Sequence, residues 1–371
     1  MHVPFCRRKC LYCDFYSITD LSRQASYLRA LEIEMGRVAG EATLPMDTLY
    51  VGGGTPSVLE AGSIERILAT AGKTFPFLPR AEVTLEANPG TLDLDLLRAF
   101  KAAGVNRLNI GVQSFRDERL RFLGRIHSGQ EAARSIDAAR AAGFDNIGLD
   151  LIYGLPRQTQ ADWLADLQQA MAFAPEHLSC YLLTYEPGTP LEGLRRTRRV
   201  QPLGETAAAE LFDTTCEYLQ TAGYHQYEIS NFARTDAHRS RHNLKYWTGA
   251  PYVGLGPSSH SFSGTERRWN FPSVDTYVRF LAAGRPPVEG RERLDRNQQM
   301  IEALYLGLRM TAGIDLGAFD RRFGVDFRGV YRELLEELGT EGHITIEAGH
   351  CALTRRGMRF QDSITARFVC A

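Results

Sequence analysis

Three cysteines stand close together at the start of the chain: Cys6, Cys10 and Cys13, in the stretch HVPFCRRKCLYCDFYS. Thiolates are soft metal ligands, so their spacing asks which metal they serve. A Cys-x2-Cys pair suits tetrahedral zinc, but zinc needs a second pair or histidines at ligand spacing. No later Cys or His offers that clearly. The pattern Cys-x3-Cys-x2-Cys supplies three thiolates, enough for three irons of a [4Fe–4S] cube, and leaves the fourth iron open to a substrate. Cys180, Cys216, Cys351 and Cys370 are isolated in the sequence and are expected to be dispensable for such a cluster.

Those thiols need a frame to hold them, and the rest of the chain supplies one. MDTLYVGGG reads as a short buried strand ending in glycines, and AEVTLEANP as a strand stopped by Pro89. NRLNIGVQS alternates Leu108, Ile110 and Val112; NIGLDLIYGLP and EHLSCYLLTY complete five strands between residues 47 and 185. Helical stretches separate them. One has Leu96, Leu97 and Phe100 on one face, and another opens with a Ser128–Glu131 capping box and stops at Gly143. A sixth strand should lie just before Cys6, followed by a helix with Leu28, Leu31, Met35 and Val38 on one face. Strands alternating with helices make a parallel sheet. Six such units predict an α/β fold, a partial (β/α)6 barrel, with functional groups at the C-terminal strand ends.

The rhythm changes near residue 200. Residues 205–222 read as a helix, followed by a Gly-, Pro- and aromatic-rich region to about 290. NQQMIEALYLGLRM and FRGVYRELLEELG are helical, and HITIEAGHCALT gives two short strands around a glycine turn. The expected domains are a barrel over 1–205, a connecting region over 206–290 and a small winged-helix-like α+β domain over 291–371. The last is read as a packing or lid domain, because no basic recognition helix stands out.

With 43 Lys+Arg against 44 Asp+Glu in 371 residues, the net charge of −1 gives no bulk attraction to nucleic acid or anionic membrane. No apolar run approaches the ~20 residues of a membrane span, and peripheral membrane contact is left open. Seven cysteines, an odd number, do not make a disulfide framework, so a reducing cytoplasm is the expected location.

The cysteine pattern resembles that of the radical S-adenosylmethionine superfamily. Further motifs follow in order: GGGTP (Gly52 to Pro56), Glu86 in LEANP, Gln113 in GVQS, Arg125 in LGRIH and Asp150 in LDLIYGLP. The set is similar to the HemN/HemW family over essentially the whole chain. The resemblance implies that Cys6, Cys10 and Cys13 hold the cluster, whose open iron chelates S-adenosylmethionine for cleavage to methionine and a 5′-deoxyadenosyl radical. It implies that Gly53, Gly54, Thr55, Glu86, Gln113, Arg125 and Asp150 line the S-adenosylmethionine site. The glycines would let backbone approach the cofactor's amino group. Glu86 would accept from its hydroxyls or amine, Arg125 would pair with its carboxylate, and Asp150 would take a ribose hydroxyl.

Two features separate the branches of this family. The oxidase branch carries a fourth cysteine where this chain has Phe15. RHNLKYW (Arg241 to Trp247) matches the His-Asn-x-x-Tyr-Trp motif of the heme-chaperone branch. The resemblance therefore implies binding of heme and its delivery to a heme-requiring partner, in respiration. His242 would be the iron ligand, with Tyr246 and Trp247 stacked on the porphyrin. His260, in GLGPSSHSF, is a weaker candidate that is read as a turn histidine. The alternative is an oxygen-independent coproporphyrinogen III oxidase. The family pattern Tyr-x-His-x-Pro-Phe-Cys is matched from His2, so its tyrosine and most of the first strand are missing here. The expectation is an upstream true start and an exposed edge on the second strand.

Overall fold

The computed structural model describes residues 1–41 and 44–370, apart from the side chain of Cys370. Six parallel strands form the sheet: β1 (His2–Val3), β2 (Met46–Gly53), β3 (Phe77–Ala87), β4 (Arg107–Gln113), β5 (Ile147–Tyr153) and β6 (His177–Leu182). Between and after them run α1 (Gln24–Val38), α2 (Ala61–Thr74), α3 (Leu94–Ala102), α4 (Asp117–Leu123), α5 (Gly129–Ala141), α6 (Gln160–Met171) and α7 (Pro190–Arg196). This is the expected partial barrel. Capping boxes at Ser128–Glu131 and Thr159–Asp162 start α5 and α6, satisfying amides that the helix itself leaves unpaired.

Strand β4 shows how the barrel is lined. All seven of its residues are buried. Leu108, Ile110 and Val112 belong to the main apolar core. The alternate residues Arg107, Asn109, Gly111 and Gln113 face inward, so the barrel lumen is polar.

Two boundaries differ from the sequence-based expectation. After α8 (Glu205–Thr221) the chain returns to the barrel sheet as β7 (His225–Gln226) and β8 (Asn231–Ala233), with β8 antiparallel to β6. The sheet therefore does not end at residue 205, because a short hairpin pairs with the free edge of β6. At the other edge β1 pairs with β2 at His2–Gly52 and Val3–Gly53, so two residues are enough to cover the C-terminal end of β2.

Helix α9 (Arg241–Trp247) comes next, followed by an antiparallel sheet of β9 (His260–Phe262), β10 (Glu266–Asn270) and β11 (Val288–Arg293), with α10 (Val274–Ala282) between β10 and β11. β11 runs past the boundary expected at 290. Glu34 of α1 is 3% exposed and ties this region to the barrel. It accepts from the Gly256 amide (2.7 Å), Asn270 Nδ2 (2.6 Å) and the Tyr277 hydroxyl (2.6 Å).

The C-terminal unit runs α11 (Arg296–Arg309), β12 (Ile314–Asp315), α12 (Leu316–Phe323), α13 (Phe327–Val330), α14 (Arg332–Thr340), β13 (Ile344–Glu347) and β14 (His350–Leu353). It closes with α15 (Arg355–Met358) and α16 (Gln361–Cys370). Helices, a hairpin and the strand order β12-β14-β13 give the winged-helix-like arrangement.

Candidate cluster and cofactor site

The cysteine loop leaves β1 and is clamped on both sides. Cys6 N donates to Ile18 O (3.0 Å), and Ile18 N returns to Pro4 O (2.7 Å). The glycine turn after β2 holds it from below, with Gly54 N to Val3 O at 2.8 Å and Thr55 N to Phe5 O at 2.7 Å. A side chain at Gly54 would place its Cβ 2.7 Å from Phe5 O, so only glycine allows this approach. The neighbouring glycine, Gly53, has φ +115°, and a Cβ there would also strike the His2 ring. The triplet thus seats the cysteine loop as well as the cofactor edge that sequence reasoning assigned to it.

All ten residues expected for the cluster and S-adenosylmethionine line one cavity of about 530 Å³ at the C-terminal ends of the strands. Cys6 is buried, Cys10 and Cys13 are half-buried, and all three are free thiols. Burial pushes the Cys13 thiol up to about 11. Among the described residues no three His, Cys, Asp or Glu side chains gather at the spacing of one metal ion. A cube asks each thiolate for a different iron and fits wider spacing.

The polar residues form a connected network. Arg125 donates to Gly111 O (2.6 Å), to Asn88 Oδ1 and to Cys10 Sγ (3.6 Å). Asn88 in turn donates to Thr55 Oγ1 (2.7 Å), which lies 3.5 Å from Cys6 Sγ. A Cβ on Gly111 would fall 2.9–3.3 Å from Gln113, Asn88 and Arg125, so this position must stay small for the three to converge. Gln113 ends β4 with φ 66°, a left-handed backbone that turns it to the cavity.

Two carboxylates complete the cavity. Glu86 accepts from the Tyr50 hydroxyl (2.6 Å) and the Gly53 amide (3.1 Å). Burial raises its pKa to about 7, against the pull of those two donors. Asp150 sits mid-strand in β5, not at its end. Its Oδ2 accepts from Asn109 Nδ2 (2.6 Å) and the Ser179 hydroxyl on β6 also donates toward the carboxyl, while the buried Oδ1 has no partner at ordinary hydrogen-bond distance. Burial raises its pKa too. A buried carboxylate oxygen without a donor is costly, and a cofactor hydroxyl would satisfy it. On that observation the cavity fits S-adenosylmethionine.

Sequence reasoning missed Tyr50, Asn88 and Asn109. Counting back by two from Gly52 along β2 would have found Tyr50, and the inward alternation of β4 would have found Asn109. Asn88 lies inside the quoted LEANP.

The RHNLKYW residues do not form one surface. Glu82 of β3 accepts from the amides of Arg241 (3.0 Å) and His242 (3.1 Å), anchoring the N-terminus of α9. His242 then points into the barrel and stacks on Tyr50 at 4.7 Å and 18°. Its Nδ1 lies 3.1 Å from Thr48 Oγ1 and its Nε2 2.9 Å from the Tyr246 hydroxyl. Burial lowers its pKa to about 3, so the ring is neutral, yet neither nitrogen is free. Trp247 lies five residues on and leaves the helix on another side. Tyr246 and Trp247 rings meet at 66°, so they do not present parallel faces to one porphyrin. His260 is a correction: it lies on β9, exposed and stacked on Trp269 at 6.0 Å, not in a turn.

Residues 1–170 match the model of the radical SAM superfamily, and residues 294–360 match that of the HemN C-terminal domain. The chain is 33% identical over 372 residues to the heme chaperone HemW of Bacillus subtilis (strain 168), spanning 100% of this chain and 98% of that one. Against the heme chaperone HemW of Escherichia coli (strain K12) it is 33% identical over 386 residues, spanning 100% and 97%. Coproporphyrinogen III oxidase (HemN) from Escherichia coli, a solved radical SAM enzyme, superposes with a TM-score of 0.84. That match has 24% identity and covers 99% of this chain and 88% of that one, a likeness of fold alone.

Proposed function

The chain belongs to the heme chaperone HemW family of the radical SAM superfamily, and from that premise we propose that it binds heme and delivers it to a heme-requiring protein. The observation that carries this reading is the end-to-end identity with heme chaperones. Phe15 supports it: it stands at the cavity wall, 65% exposed, where the oxidase branch has a fourth cysteine.

The family's cofactors are a [4Fe–4S] cluster and S-adenosylmethionine. We assign the cluster to Cys6, Cys10 and Cys13, and S-adenosylmethionine to Gly53, Gly54, Thr55, Glu86, Gln113, Arg125 and Asp150. When bound, the pair supplies one-electron cleavage chemistry. The chain's own part is placement. Arg125 sets a cation beside Cys10, Glu86 and Asp150 offer acceptors in a partly desolvated cavity, and the glycine turn fixes the loop.

For the heme we assign α9. His242 reaches iron only by exchanging its Nε2 contact with Tyr246 for the metal. The recipient is a heme-requiring protein, respiratory in our reading, and the setting is the cytoplasm. No helix among the described residues is long and apolar enough to cross a membrane.

The test is an anaerobic heme titration of cluster-reconstituted protein, read by visible spectra, for wild type, His242→Ala and Tyr246→Phe. Saturable binding is expected. A histidine-ligated spectrum lost in His242→Ala and strengthened in Tyr246→Phe supports His242 and puts the iron on the lumen side of α9. Absence of saturable binding, with turnover of coproporphyrinogen III, would establish the oxidase instead.

A further inference from the structure

Helix α9 divides two compartments. His242 and Tyr246, four residues apart, share the face that closes the barrel lumen. Trp247 looks toward the C-terminal unit, where it forms a wall of a cleft of about 410 Å³ between α9, β9, α11 and α12. That volume lies in the range of small-molecule sites. The lining is largely apolar: Phe262, Leu306, Met310, Phe319 and Phe323 line it together with Trp247. The indole is held by the Arg309 guanidinium, 4.4 Å from its ring, which is itself paired with buried Glu228 at 2.6 Å. Its Nε1 is buried without an acceptor.

The charges around the cleft are unequal in their freedom. Glu302 is spent on Arg267 at 2.8 Å. Asp315 caps α12 through the Ala318 amide at 2.8 Å. Arg322 makes no ion pair among the described residues. Its guanidinium rests 4.9 Å from the Phe323 ring and reaches to within 3.9 Å of a Cβ position on Gly249, just past α9. The cleft thus offers an apolar slot with one uncommitted cation at its mouth. A second hollow of about 390 Å³, between α11 and α16, has only Arg267 for a cation, and that one is already paired.

We propose that the cleft between α9 and the C-terminal unit seats the heme, with the ring among the apolar walls and an edge carboxylate on Arg322. The proposal rests on the heme-chaperone reading. It follows from complementarity: a tetrapyrrole is a flat apolar plate with carboxylates on one edge, and an unpaired guanidinium is the partner such carboxylates take. The barrel cavity is committed to thiols and polar donors, and the His242 pocket is closed by its own hydrogen bonds. His242 faces the other side of α9, so a heme in the cleft is not ligated by it: recognition there needs the ring and its carboxylates but not the iron, and the cleft stands as the alternative to His242 ligation.

The experiment titrates the full-length protein with hemin and, separately, with metal-free protoporphyrin IX, read by quenching of tryptophan emission and by absorbance. The variants are Arg322→Glu and Ala318→Trp. Both positions are exposed on α12, so folding is checked simply by circular dichroism. Arg322→Glu is expected to weaken hemin by about tenfold or more, the loss of one charge-assisted contact. Ala318→Trp should weaken it similarly by filling the slot, metal-free protoporphyrin should compete, and Trp247→Phe should remove part of the quenching. Saturable hemin binding unchanged in both α12 variants would overturn the cleft while leaving the chaperone reading intact. Failure of the metal-free ring to compete would also overturn it, pointing to iron ligation elsewhere. Absence of saturable binding in the wild type would end both proposals.

Discussion

The barrel mouth and the C-terminal cleft solve different binding problems. At the mouth, nearly every polar group is already tied to another: Arg125 to Asn88, Gly111 and Cys10, Glu86 to Tyr50 and Gly53, Asp150 to Asn109. At the cleft the walls are apolar and one cation is uncommitted. A prearranged polar cavity loses little order when it takes up a charged cofactor and holds it in one pose. An apolar slot holds by area, with little directional constraint, and suits cargo that must leave again. On this proposal the molecule keeps a resident site and a transit site on opposite sides of α9.

The two sites share no lining residue, so each can be broken alone. The largest effect is expected from Cys6→Ala, Cys10→Ala or Cys13→Ala. Each should abolish the cluster by iron analysis, with hemin affinity unchanged; full iron content in any one would remove that residue from the ligand set.

Next comes the wall between the sites. His242→Ala leaves a gap against Tyr50 and strands the Thr48 and Tyr246 hydroxyls. The expected cost is about 2–4 kcal/mol, seen as a lowered melting temperature. An unshifted melt would mean that the ring is not part of the barrel's packing.

Asp150→Ala should weaken S-adenosylmethionine by about tenfold to a hundredfold, the worth of one or two buried hydrogen bonds, without loss of iron. Equilibrium dialysis on the reconstituted protein checks it. Unchanged affinity would mean that the free Oδ1 does not meet the cofactor.

A smaller, pH-dependent effect belongs to Glu86. Its carboxyl is neutral below about 7 and charged above. The charged form is the better acceptor for cofactor hydroxyls or amine, so affinity should rise as pH increases through about 7. Tyr50→Phe removes a donor that favours the charged form and should move that rise to higher pH. A flat profile between pH 6 and 8 would detach Glu86 from binding.

The smallest effect is expected from Cys180→Ala, Cys216→Ala and Cys351→Ala. These thiols are buried away from the cavity, and only Cys216 of the three reaches a polar partner among the described residues, the Gln226 side-chain oxygen at 3.5 Å. Iron content should be unchanged and stability lowered by about 1 kcal/mol each.

Much of the first site was legible. Cysteine spacing is local, and strand–helix alternation predicts that residues ending successive parallel strands meet at one rim. The second site was legible only as a motif. RHNLKYW names residues within one turn or two of each other, but a helix sends residues five apart to different sides. Their separation into lumen and cleft depends on what packs against α9. Thr48, Tyr50 and Glu82 lie about 160–195 residues earlier in the chain, whereas Met310, Phe319 and Arg322 come about 65–75 residues after Trp247.

The sequence by itself determined the cysteine spacing on which the cluster assignment rests, the partial barrel and its family, because periodicity, glycine turns and ligand spacing are short-range properties written in consecutive residues. Tertiary structure alone decided that the third glycine of the turn seats the cysteine loop. It also decided that Tyr50 couples Glu86 to His242, and that His242 and Trp247 face different compartments. Each of these depends on side chains from distant segments competing for the same few ångströms, and no local pattern records which of them arrives.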